Sequence, residues 1–524
     1  MPSSSHATPS HVSFLSTRHP LTLALLLVTA LAPALAAEVA ADGAEAAVDA
    51  ADTAQPADQV QTELETRAVE SANFPPPAPP APEPFRAPNV QMISWANDYS
   101  FLADPAKRTG AAWERLSYIP LSDADPQKFL TIGGEFRYYG QYWEHVTNGT
   151  APNDRNDSHQ RRTRIYGDLN LGRNFRAFLE IGESWEHDAE FPTPNNFDGL
   201  DIQQAFIDAS FGIGEGHRIT FRPGRFQMPL GNGIMVGTRD GTALRYTYDG
   251  LRVMLATKGG NKLDLFTTRP VAIDRGSFDN APDNGRSFSG AYSSHPTGKG
   301  SGIDAYWYNV GHERVAFPGL VGEQRRHSFG VRAFGRPGSW DYDVEGVVQT
   351  GSFAGEDIRA WGFISNAGFT FTDVRFAPRL GVRVNAFSGD DDPGRGDLGT
   401  FEAPFPRTAL HTDAGLFVFM NLVNVHPTVT WTLTDRFRVS TGLNAMWRES
   451  TEDDIYYGGN GRPLASVPTG DRHVATSYEA QADWQVDRNL NLHLFLSHIE
   501  AGSALLAAGG ESGPYYGFWA QYRF

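Results

Sequence analysis

The sequence predicts an all-β protein, a transmembrane antiparallel up-and-down β-barrel of about eighteen strands. Three observations carry this. From residue 129 onward, stretch after stretch alternates apolar and polar residues with period two. Short and long connections alternate between them. The chain also closes on "GPYYGFWAQYRF", which is apolar on one parity to its last residue. There Tyr516, Phe518, Ala520, Tyr522 and Phe524 share one side, while Tyr515, Gly517, Trp519, Gln521 and Arg523 share the other. Alternate residues of a strand face opposite ways, so such a strand suits lipid outside and water inside.

Composition sets the frame. The chain has 524 residues, 54 Gly, 34 Pro, no Cys and a mean hydropathy of −0.38. Without Cys there is no disulfide framework and no thiolate metal site. Beyond the N-terminus no run of 18 apolar residues occurs, which excludes spanning helices but not spanning strands. Residues 1–36 read as a signal peptide: Arg18 and His19, an apolar run from Leu21 to Leu31, and Ala34-Leu35-Ala36 before Ala37. Residues 37–90 are rich in Ala, Pro and acids and read as a disordered tether, too poor in large apolar groups to offset ordering. The formal charge is −17; the tether holds ten acids and two arginines, and residues 91–524, the barrel domain, are left with −10.

The clearest strands begin with 129–143, 162–172, 175–185, 204–213, 217–226, 250–257 and 262–271. Then come 328–335, 340–349, 361–371, 379–387, 426–434, 436–447, 474–484, 489–498 and the terminal run. "TDR" (434–436) and "DRN" (487–489) are tight turns. Residues 448–472, and the Gly-, Ser- and Asp-rich 269–302, read as long loops. Roughly 24 residues per strand and connection suit strands of about 9–11 residues crossing a bilayer.

One face is greasy throughout: Leu490, Leu492, Leu494 and Leu496 oppose Asn491, His493 and Ser497, and Leu380, Val382 and Val384 oppose Arg379, Gly381 and Arg383. The chain has 39 Arg against 5 Lys. Codon usage would favour Arg over Lys, but would not choose a parity. The arginines fall on the polar one: Arg137, Arg164, Arg176, Arg218, Arg222, Arg252, Arg332, Arg383, Arg438 and Arg523. Arginine stays charged when partly desolvated and grips carboxylates in a planar fork, so these are the candidate lumen residues for an anion. Glu135, Asp168, Glu180, Asp208, Asp264, Asp343 and Glu345 share that parity and act as partners that tune the field. Tyr139, Tyr166 and Trp519 are candidate stacking surfaces for sugar rings.

Catalytic patterns are missing: no His-Glu-x-x-His, no Gly-x-Ser-x-Gly and no phosphate loop, so the chain does not read as an enzyme and no cofactor is expected. The one weak metal candidate is "GDDDPGRGD", where Asp390, Asp392 and Asp397 offer oxygens suited to Ca²⁺.

Several segments in order resemble the alginate export family of outer-membrane barrels. They are "WANDYSFLADPAKRTGAAWERLSYIPL" (95–121), "FLTIGGEFRYY", "RPGRFQMPLGNG" (222–233), "YTYDGLRV" (246–253), "DLFTTRPV" (264–271) and residues 421–456. Two departures stand out. Only Arg245 precedes "YTYDG", where the family carries a pair of arginines, and Phe226 is inserted in Gly224-Arg225-Phe226-Gln227. The resemblance implies an eighteen-stranded monomer in the bacterial outer membrane, with loops gating an Arg-lined passage for an acidic exopolysaccharide. It implies as partners that polysaccharide, the lipid and lipopolysaccharide around the barrel, periplasmic export proteins, and the barrel-insertion machinery, which reads a terminal strand ending in Phe. Nucleic acid is not among them. The residues leave open a second reading, an anion-selective porin for uptake of acidic oligosaccharides or small solutes.

Overall fold

The computed structural model describes residues 90–151, 154–190, 192–407, 415, 417–458, 462–464 and 470–524. The signal peptide and tether lie outside these residues. Eighteen antiparallel strands form one closed sheet: β1 Lys128–Trp143, β2 Asn156–Leu171, β3 Phe175–His187, β4 Asp198–Gly212, β5 Arg218–Phe226 and β6 Tyr248–Ala256. There follow β7 Lys262–Ala272, β8 Arg286–Gly298, β9 Ser301–Phe317, β10 Leu320–Gly335, β11 Trp340–Phe353 and β12 Glu356–Thr370. The last third is β13 Arg379–Phe387, β14 Leu422–Thr434, β15 Phe437–Trp447, β16 His473–Gln485, β17 Leu490–Ala501 and β18 Gly513–Arg523. Each strand pairs with its chain neighbour, and β18 closes on β1 from Glu135 opposite Arg523 to Trp143 opposite Tyr515. Closure leaves no edge and satisfies every ladder within the wall, which a bilayer demands.

The parity is observed as expected. Phe136, Ile165, Ile207, Val331, Leu380, Leu494, Phe518 and Tyr522 are exposed on the outside, forming the lipid belt. The opposite parity is buried or half-buried.

One expectation fails. Residues 269–302 are not a single loop, because β8 runs through their second half. Its alternation is inverted: Phe288, Gly290 and Tyr292 point inward and are buried, while Ser287, Ser289, Ala291 and Ser293 face out. Small and polar outward residues removed the greasy signature by which the other strands were recognised. The real connection is 273–285.

One end has only short connections; the other has the long ones, together with two tight turns, β9–β10 and β11–β12, which sets the periplasmic and extracellular ends. Two extracellular connections fold inward. Residues 227–247 and 388–407 join in a short parallel bridge between Val236 and Phe405, with Gly237 N–H donating to Phe405 O at 2.8 Å. Their apolar groups, including Met235, Val236, Phe401 and Phe405, merge with inward aromatics such as Tyr248 and Phe288 into a buried core inside the barrel. From the periplasmic end the leading segment also enters: Trp95 Nε1–H donates to Gln227 O at 3.1 Å, and Arg245 Nη1 donates to Met92 O at 2.8 Å. Tyr99, Leu102, Tyr118 and Phe129 anchor that segment to the base of β1.

Candidate functional site

The interior has two unlike walls. Along β1–β11 the arginines are locked. Glu135 is the hub: its carboxylate accepts from Arg162 Nε at 2.6 Å, Arg245 Nη2 at 3.0 Å, Arg523 Nε at 3.1 Å and Gln521 Nε2 at 2.7 Å. Asp240, on the inserted loop, takes Arg245 Nε at 2.6 Å and Arg162 Nη1 at 3.0 Å. Arg137 donates to the carbonyls of Asp240 and Thr242, and Arg164 donates to Ala243 O at 3.2 Å. The inserted loop is thus held by arginines that face it from β1 and β2.

Further round, the pairs are forks. Arg176 grips Asp168 at 2.7 Å through two nitrogens, Arg222 grips Asp208 at 2.7 and 2.8 Å, and Arg252 Nη2 meets Asp264 at 2.8 Å. Arg332 binds Asp343 and Asp304, and Arg379, at the base of β13, binds Asp341 of β11. Glu180 accepts from Ser94 and Gln204 and lies 3.7 Å from Arg164. Bidentate geometry compensates desolvation but leaves these guanidinium groups committed. Two family-like motifs meet here as well: Gly224 lies opposite Gly250, and Arg225 opposite Asp249, bonded at 2.8 and 2.9 Å. Gly224 has φ +127°, and a Cβ there would press into the Ala205 carbonyl.

The wall from β13 to β17 is built differently. Across its extracellular half runs a belt of small polar groups: Asn385 Nδ2 donates to Asn424 Oδ1 at 3.0 Å, Asn424 Nδ2 donates to Asn444 Oδ1 at 3.0 Å, and Ser477 and Ser497 bond at 2.8 Å. Below the belt, toward the periplasm, Arg383, Thr428, Arg438, Ser440, Gly442 and Gln481 are half-buried inward residues, set among His426 and Glu479, 3.5 Å apart, and His493 and Asp483, also 3.5 Å apart, with Asp483 opposite Arg438 on the neighbouring strand. Small residues flank the two arginines, so solvent reaches them.

Sequence reasoning placed all ten candidate arginines on the inward parity, and none is exposed. Arg218 is half-buried at the periplasmic rim and donates to the Arg173 carbonyl. It lines, with Asp98, Asp168, Arg176, Asp208 and Arg222, a cavity of about 570 Å³ at that mouth, one of mixed charge. Arg162, Arg245 and Asp240 were missed. Arg162 shares the parity of Arg164 and was legible, but the loop pair Arg245 and Asp240 had no periodicity to reveal it. Tyr139 and Tyr166 are buried in the wall, and Trp519 stacks on His493 with ring centroids 3.9 Å apart. Asp390, Asp392 and Asp397 do not converge: Asp390 accepts the Asp392 N–H at 3.1 Å and Asp397 turns to Arg359 at 3.0 Å.

A closed eighteen-stranded barrel, greasy outside and charged within, is an outer-membrane channel, and its place is the bacterial outer membrane. The chain belongs to the alginate export family, whose model matches residues 128–518. The leading segment 95–121 precedes the matched residues. Solved structures of similar fold include a BenF-like porin from Pseudomonas fluorescens Pf-5, 11% identical over 75% of this chain and 98% of that one, TM-score 0.53. Another is Pseudomonas aeruginosa OccK2 (OpdF) in complex with glucuronate, 11% identical over 78% of this chain and 98% of that one, TM-score 0.51. No curated protein matches. Family and fold alike are those of transport channels.

Proposed function

We propose that this channel passes an anionic polysaccharide, an alginate-like polyuronate, along the wall from β13 to β17. The observation that carries this is the difference in arginine exposure: Arg383 and Arg438 are half-buried, while Arg137, Arg162, Arg164, Arg222, Arg252 and Arg332 are closed off from the lumen. A half-buried arginine keeps part of its guanidinium group in water, where a sugar carboxylate can reach it. Each such contact is worth only about 0–1 kcal/mol, which holds a sliding polymer without trapping it. The terminal strand, aromatic on its lipid face and ending in Phe524, serves the insertion machinery. The barrel works as a monomer, with periplasmic export partners at the turn end.

A second reading, uptake of acidic oligosaccharides, draws support from the mixed-charge cavity at the periplasmic mouth and from a neighbour solved with glucuronate. Single-channel recording in a planar bilayer separates these from a neutral pore. The expected result is anion selectivity in a KCl gradient and block by polyuronate. Block by a dimer as strong as by the polymer would favour the oligosaccharide reading. Cation selectivity, or indifference to both, would overturn the proposal.

A further inference from the structure

Among the described residues, carboxylates converge at one place the channel does not use. Asp198 opens β4, Asp201 follows three residues on, and Asp279 comes from the β7–β8 connection; one oxygen of each lies within 4.8 Å of the others. This is the extracellular rim.

The arrangement is not a solvated acidic surface. Asp198 is 0% exposed. Its Oδ2 accepts from Asn280 Nδ2 at 2.9 Å and Gln203 Nε2 at 3.3 Å, but its Oδ1 is buried with no hydrogen-bond partner. Asp201 Oδ2 accepts the N–H groups of Asp279 at 2.9 Å and Asn280 at 3.0 Å, drawing the connection onto the strand. The nearest cation, Arg225, reaches only to 3.9 Å of Asp201 with Nη1, and its fork is committed to Asp249. A buried carboxylate oxygen with neither donor nor cation is costly, and three carboxylates in one spot repel unless a cation sits between them.

The ligand type follows from the donors. They are all oxygens, with no thiolate or imidazole, which selects a hard cation. The set is irregular and one of its three members is on a connection, which suits Ca²⁺ with its variable geometry more than Mg²⁺ with its strict octahedron. Gly276, beside Asp279, packs its carbonyl against Gly199, which keeps the connection close to β4. We propose that Asp198, Asp201 and Asp279 bind a calcium ion that fastens the β7–β8 connection to β4 at the extracellular rim.

The test uses the full-length protein in detergent, freed of lipopolysaccharide and stripped with EDTA. Trp185 packs on Phe197, next to Asp198, at 4.6 Å between ring centroids, so bound Tb³⁺ should luminesce on indole excitation. The expected result is one Ca²⁺ per chain by calorimetry, Tb³⁺ luminescence quenched by Ca²⁺, and at least tenfold weaker binding in Asp279→Ala. Asp279 is exposed, so that variant should keep the heat-modifiable mobility of a folded barrel. Asp198→Asn should abolish the Tb³⁺ signal, and Asp390→Asn should leave it unchanged. No calcium uptake by the wild type, equal uptake by Asp279→Ala, or loss in Asp390→Asn would each overturn the site.

Discussion

The wall from β1 to β11 and the wall from β13 to β17 come from the same alternating pattern, yet they do different work. The first spends its arginines on carboxylates and on the carbonyls of the inserted loop, and so acts as a scaffold holding that loop inside the barrel. The second carries a belt of amides and hydroxyls above the pairs His426–Glu479 and His493–Asp483, and leaves Arg383 and Arg438 half-buried. An inward arginine is therefore not by itself a binding residue. Its exposure decides: a buried fork is structural, and a half-buried arginine keeps a face that a passing anion can reach.

Breaking the scaffold wall should have the largest effect. Glu135→Ala strips the shared carboxylate from Arg162, Arg245 and Arg523 inside the barrel. Removing one partner of a buried ionic cluster costs about 3–5 kcal/mol, so the urea midpoint of the barrel in vesicles should fall sharply. Gln481→Ala on the other wall should stay within about 0.5 kcal/mol. Equal losses at the two positions would erase the distinction.

A smaller change is expected at the polar belt. Asn424→Ala removes the bonds to both Asn385 and Asn444, in a place where all three side chains are buried. A loss of about 1–3 kcal/mol in the same unfolding assay is expected. A neutral result would mean the belt is spacing alone.

The smallest effect concerns the connection above the open wall. Asp453 accepts from the Asp390 N–H, Thr400 and Tyr456, tying residues 448–458 to the second inward connection, 388–407. Beside it, burial and then the charge of Asp453 push Asp454 up to about 6. A carboxyl raised in the folded loop favours closure below its ordinary value near 4, and that contribution is lost as pH rises through 6. At constant ionic strength, open probability should increase between pH 5 and 7.5, and Asp454→Asn should flatten the change. A channel that closes as pH rises would reverse the sign.

Much of this was legible in the sequence because the lipid boundary imposes period two and because short turns alternate with long connections. The terminal strand, the ten inward arginines and their carboxylate partners follow from parity alone. What escaped lacks that signature. β8 carries Ser and Ala on its outer face and aromatics inside, so it reads as loop. Arg245 and Asp240 sit on a connection that folds inward, and no local pattern says where a loop will lie. The carboxylates of Asp198, Asp201 and Asp279 are joined across about eighty residues by the barrel, while the contiguous acids at 390–397 turn to separate partners. Parity gives the face of a residue. Only the fold gives its partner.

The most direct measurement compares polyuronate block of single channels in two variants. One is Arg383→Gln with Arg438→Gln. The other is Arg252→Leu with Asp264→Leu, which replaces a buried pair by apolar groups and should leave the barrel folded. Losing two contacts of about 0.7 kcal/mol each should weaken block by about tenfold in the first variant, while the second blocks like the parent channel. Unchanged block in the first variant, or an equal loss in the second, would contradict a path along the open wall.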